Sequence, residues 1–216
     1  MMKNNIYADF SPASCMPDCW CELPRMGEYI LEPGNTWSNL AFIFCGVFVH
    51  FFLKEIKHRN LTSFSFILLG VGSMAFHGTG TFIGQTLDVF AMYFLVSVFI
   101  FQLWSKRFNY LWFSVFNILS LASLYYFPDF RRWGFLVLVV GLIILAIRRL
   151  SVNKYLILAI FSMVIGQVLW NLDRMKIICD PEFFFNGHFF WHIFSALSAL
   201  FFVFSINKKE SSSSRL

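Results

Sequence analysis

In 216 residues this chain carries 58% hydrophobic and only 13% charged side chains, and 30 of its residues are phenylalanine. A water-soluble domain has about 25% charged residues, so the composition excludes one and requires a chain that lives in hydrocarbon. The formal net charge is +5, but the positive residues stand in short clusters between apolar runs, a pattern that encodes membrane topology and excludes the basic stripe of a nucleic-acid binder.

Residues 1–35 are polar, hold Pro12, Pro17, Pro24 and Pro33, and show no apolar core of a cleavable signal peptide. They are expected to form an extramembrane segment whose Asn35-Thr36 end caps the first span. Within this segment Asp18, Glu22, Glu28 and Glu32 crowd around Trp20. Hard oxygen ligands in an irregular loop suit Ca2+, and a solvated acidic loop accounts for them equally well.

Seven apolar runs follow, near 36–53, 61–78, 84–104, 108–127, 133–150, 154–172 and 187–206. Each is about long enough to cross a ~30 Å hydrocarbon core, which predicts an all-α bundle of seven transmembrane helices over 36–206. The loops are so short that neighbouring helices must run antiparallel, and all six prolines fall outside the runs, as helix integrity favours. Residues 207–216, with four consecutive serines, read as a disordered tail.

Orientation follows from lysine and arginine. Lys54, Lys57, Arg59, Lys106, Arg107, Arg148, Arg149, Lys154, Lys208, Lys209 and Arg215 fall on one side of the bundle, and Lys3, Arg25, Arg131, Arg132, Arg174 and Lys176 on the other. The positive-inside rule then puts the N-terminus outside and the C-terminus in the cytoplasm. On this topology Cys15, Cys19, Cys21 and Cys179 are non-cytoplasmic, where disulfides form, and Cys45 is a small hydrophobe inside a span.

Against this apolar background the titratable residues stand out. Ser73-x-x-x-His77 ends the second run, Asp88 opens the third, and His188-x-x-x-His192 opens the seventh. A four-residue spacing puts both members of each pair on one helix face. The topology sets all five at similar depth near the outer surface. Each histidine could simply satisfy a neighbouring carbonyl, which is the reading for His50 and His58 at the opposite end. Three at matched depth with an aspartate favour a shared ion, because polar groups in lipid are costly and rarely coincide. Three imidazoles plus a water make the open tetrahedral arrangement of catalytic zinc. Asp88 is then placed to move a proton, and Ser73 to hydrogen-bond the water or a developing oxyanion.

Taken in order, Trp20-Cys21-Glu22, Glu32-Pro-Gly-Asn35-Thr36, Ser73-x-x-x-His77, Gln85-Thr86-Leu87-Asp88, Trp170-Asn171-Leu172-Asp173 with Cys179, and His188-Phe-Phe-Trp-His192 resemble the alkaline ceramidases. Their superfamily of seven-helix zinc hydrolases includes adiponectin-receptor-like and GPI-remodelling proteins. The resemblance covers residues 18 to 192 and implies Zn2+ held by His77, His188 and His192, with Asp88 and Ser73 as catalytic partners. It also implies Ca2+ bound through the Trp20 carbonyl, Glu22 and Glu32. Two positions depart from that pattern: Cys19 stands where the family has aspartate, with Asp18 one step back, and Pro24 replaces an asparagine. A disulfide between Cys21 and Cys179 is implied in the same way. The reaction implied is hydrolysis of ceramide, a lipid substrate drawn from the membrane, to a sphingoid base and a fatty acid. Alternatives are a zinc hydrolase acting on another acyl lipid, such as a phospholipid or a lipid-anchor ester, and a heptahelical receptor with structural zinc. A multi-pass protein of this kind is expected in the endoplasmic reticulum or Golgi of a eukaryote, or in a bacterial inner membrane.

Overall fold

The computed structural model describes residues 5–104 and 108–213, and every regular element in it is helical. Helix α1 (Pro33–Ser38) runs into α2 (Leu40–Phe52), and α3 (Arg59–Thr79), α4 (Phe82–Trp104), α5 (Tyr110–Tyr126), α6 (Arg131–Arg149), α7 (Lys154–Arg174) and α8 (Gly187–Ser213) follow. Among the described residues six helices are long and apolar enough to cross a bilayer, α1 and α2 counting as one, while α5 is a shorter apolar helix of 17 residues. At 1.5 Å per residue α5 reaches about 26 Å, the lower limit for a span.

Local chemistry fixes the ends. Asn109 and Asn153 accept hydrogen bonds from the first backbone N–H groups of α5 and α7, which would otherwise lack partners. Helix α3 stops at Gly80, whose φ of 63° is open to a residue without a Cβ. The first span begins at Pro33, earlier than expected, because proline's fixed φ suits a first helical position; Asn35 and Thr36 lie inside it. At the other end α8 continues to Ser213, beyond the expected end of the last span near 206. Lys208, Lys209 and Glu210 are good helix formers, so the backbone ladder persists past the apolar stretch. Lys3, Lys106, Arg107, Arg215 and Leu216, which enter the charge count and the expected tail, lie outside the described residues.

Packing places α3 between α2 and α4, α8 against α2 and α7, and α5 and α6 on α4. The core between them is built from Phe42 and Val49 of α2, Phe66 and Leu69 of α3, Leu95 and Phe99 of α4, Ala146 of α6, and Ala196 and Val203 of α8. Apolar residues on α5, α6 and α7, such as Leu111, Ile118, Val137, Ile147 and Ile160, are exposed, as they are on helices that face lipid.

The N-terminal segment closes one end of this bundle. Ala13 donates to the Gly80 carbonyl at 2.9 Å, Phe82 to the Ser11 carbonyl at 2.8 Å, and Leu31 to the Gly78 carbonyl at 2.9 Å. Two disulfides, Cys15–Cys19 and Cys21–Cys179, tie it further, the second reaching the loop before α8. Cys45 is free and buried in α2.

Candidate metal centre

Ser73 and His77 share one face of α3 near its C-terminus. Helix α4 approaches that face at Gly72, where a Cβ would come within 3.0 Å of the Leu87 carbonyl oxygen and 3.4 Å of the Asp88 nitrogen. This close approach sets the Ser73 side chain beside the carboxyl of Asp88. Helix α8 is held from its first turn. The Asn186 side-chain oxygen accepts from the Phe189 N–H at 2.8 Å, and Asp173 Oδ2 accepts from the His188 N–H at 3.0 Å. Anionic and neutral oxygens both suit a helix N-terminus, where N–H groups lack partners and the dipole is positive. His188 and His192 follow on one face, turned toward His77.

The three imidazoles converge. One ring nitrogen from each lies within 4.8 Å of the others, and among the described residues no other three His, Cys, Asp or Glu side chains are so arranged. His77 Nε2 and His188 Nε2 are 3.2 Å apart, and all three residues are at most 4% exposed. His77 Nδ1 lies 2.7 Å from Glu32 Oε2, and His192 Nδ1 lies 2.7 Å from the Ser38 hydroxyl. A carboxylate at Nδ1 places the ring proton there and leaves Nε2 as a lone pair, the state in which an imidazole binds a cation. Three buried imidazoles with their nitrogens this close are a donor set that fits a metal ion.

The acidic residues of the N-terminal segment divide. Glu22 and Glu32 meet in one buried corner, both bonded to Asn35. Glu22 accepts from the backbone N–H groups of Gly34 and Asn35 at 2.8 Å each, so it caps α1. Burial raises the carboxyls of Glu22 and Glu32 above their ordinary range, and a cation held by His77 would favour the Glu32 carboxylate. Asp18 stays at the surface, paired with Lys176, and Glu28 is exposed beside Arg25. Trp20 turns inward, its ring stacked on His188. At the opposite end of the bundle His58 bonds the Tyr110 hydroxyl at 2.9 Å and His50 packs on Phe51.

Ser38 was not singled out from sequence, and Asp173 entered only as the last residue of the Trp170–Asp173 motif, with no role attached; it is fully buried and accepts from both Cys21 N–H and His188 N–H at 3.0 Å. Nothing about a serine in the first span marked Ser38. An open apolar groove of about 490 Å3 lies on the outer surface between α4 and α5, lined by exposed residues that include Ile83, Leu87, Ile118, Leu121 and Tyr125. Leu87 places it next to Asp88 in the chain.

Residues 18–214 match the family model described as Ceramidase. The chain is similar to alkaline ceramidase of Arabidopsis thaliana, 25% identical over 219 residues that cover 92% of this chain and 85% of the plant protein. It is also similar to alkaline ceramidase 1 of Mus musculus, 32% identical over 84 residues, and to alkaline ceramidase 1 of Homo sapiens, 31% identical over 83 residues. Each of these two matches covers 36% of this chain and 31% of the mammalian protein.

Proposed function

This chain belongs to the ceramidase family, and from that premise we propose that it hydrolyses the amide of ceramide to a sphingoid base and a free fatty acid, with Zn2+ held by His77, His188 and His192. The observation that carries this reading is the meeting of three buried imidazoles at the same end of α3 as the Ser73–Asp88 pair. Zinc bound there supplies Lewis acidity and a water whose pKa is lowered to roughly 7.

The chain's own groups supply the rest. Asp88 lies beside Ser73, one turn along α3 from His77, and in this reading it takes a proton from the attacking water and returns it to the departing amine as the C–N bond breaks. Glu32 and Ser38 hold two of the three rings at one tautomer and one orientation. The open apolar groove at Leu87 offers a surface on which a hydrocarbon chain can lie. No step runs through calcium. Asp18 is paired with Lys176, Cys19 is tied to Cys15, and Glu22 is occupied by the start of α1. The lysine and arginine distribution sets the metal centre toward the non-cytoplasmic surface.

Purified protein incubated with ceramides and, separately, with phospholipids tests the reaction by mass spectrometry of the products. Release of fatty acid and sphingoid base from ceramide is expected; release from phospholipid alone would overturn the substrate assignment. Asp88→Asn should lower fatty-acid release by about 10²–10⁴-fold, the range for loss of a general acid–base group, while zinc measured in the purified variant stays at the native amount.

A further inference from the structure

Three imidazoles share an ion only if each ring is held at one orientation. Glu32 does this for His77 and Ser38 for His192, each through a 2.7 Å contact at Nδ1. His188 differs: its Nδ1 is buried and has no hydrogen-bond partner among the described residues. What it has is the Trp20 ring, stacked with centroids 3.8 Å apart and planes 24° from parallel. We propose that Trp20 is the positioning residue for His188, doing by ring stacking what hydrogen bonds do for the other two ligands. The N-terminal loop is thereby part of the metal centre and more than a cover over it.

The surroundings of Trp20 fix that stack from several sides. Both of its chain neighbours are covalently tied, Cys19 to Cys15 and Cys21 to Cys179. The Cys21 N–H donates to one oxygen of Asp173 at 3.0 Å, and the His188 N–H donates to the other, also at 3.0 Å. A single buried carboxylate therefore registers the backbone beside Trp20 against the backbone of His188. Trp170 backs the indole at 5.8 Å between ring centroids. Stacked aromatic rings attract at this separation, and the flat contact blocks rotation of the imidazole about its Cβ–Cγ bond. A surface loop held by two disulfides, a buried carboxylate and a second tryptophan is more constraint than simple coverage of a helix end needs.

This inference rests on the metal reading above, and the test separates the two. Full-length protein in detergent, stripped of metal, is titrated with Co2+, and affinity is measured by chelator competition alongside the visible absorption that reports coordination geometry. Native protein is expected to bind. Trp20→Leu should bind roughly 10–100-fold more weakly, the usual effect of losing a group that orients a ligand, with an altered spectrum. Trp20→Phe, which keeps a flat ring, should recover the native spectrum. A leucine variant with native affinity and spectrum overturns the proposal and leaves the metal reading standing, even if its Tm falls. Absence of Co2+ binding by the native protein overturns both. If the leucine variant does not fold, fluorescence decides: Co2+ should quench the emission that native protein has in excess of Trp20→Phe, and lack of quenching overturns the proposal.

Discussion

A buried charged or titratable side chain persists only where something holds it, and three such carboxyls near the histidine cluster have named partners. Asp88 has Ser73, Asp173 has two backbone N–H groups, and Glu32 has His77 and Asn35. Glu32 is the most informative of the three. Sequence alone placed it in an acidic loop and, by resemblance, among calcium ligands; the structure puts its carboxyl against His77 of the histidine cluster. Replacing it by glutamine keeps the shape and an acceptor oxygen but removes the charge that favours the Nδ1 proton of His77. Glu32→Gln should weaken Zn2+ binding by roughly 10-fold or more, read by chelator competition, with little change in Tm. Equal affinity in the two proteins would mean that Glu32 serves packing alone. The pairing was invisible in sequence because it joins residues 45 positions apart, and a glutamate before Pro33 looks like any helix entrance.

Between elements the decisive contact is α3 on α4. Association in lipid has no hydrophobic driving force and depends on how closely backbones approach. Gly72 and Gly84 set that approach, a Cβ on Gly84 coming within 2.9 Å of the Phe76 Cα atom. Gly72→Val should push α4 away from α3, separating Ser73 from Asp88 while leaving His77, His188 and His192 on their own helices. The expected outcome is a large fall in fatty-acid release with zinc content retained, together with a destabilisation of about 1–3 kcal/mol from overpacking. Loss of zinc along with activity would show instead that the α3–α4 contact shapes the histidine cluster too. The four-residue pairs on α3 and α8 were legible in the sequence because helical periodicity is local. That glycines would bring α3 against α4 was not, since any of several glycine-bearing helices could have been neighbours.

For the molecule as a whole, the proposed metal centre sits at one end of a helical bundle closed by a disulfide-tied loop, and this arrangement makes two expectations. A metal-specific chelator should stop fatty-acid release, with recovery on adding Zn2+, while the helical circular-dichroism signal holds, because the helices are stabilised by the bilayer and by packing independently of the ion. Loss of helix on chelation would assign the metal a structural role. A protease site inserted beside Glu182 should be cut from the non-cytoplasmic side of sealed membranes and one beside Glu55 only from the cytoplasmic side, as the positive-inside rule requires; the reverse pattern would invert the bundle. The chain's order of apolar runs and charges determined by itself that it crosses a membrane as a series of helices, and its paired polar spacings nominated the chemistry. Both are local properties, set by solvation and by 3.6-residue periodicity, so no knowledge of neighbours is needed to read them. Only the tertiary structure decided which groups stand behind the three histidines: Ser38 on His192, Glu32 on His77 and Trp20 on His188. Those contacts form when segments far apart in the chain pack together, and side-chain packing across such distances leaves no periodic trace in the sequence.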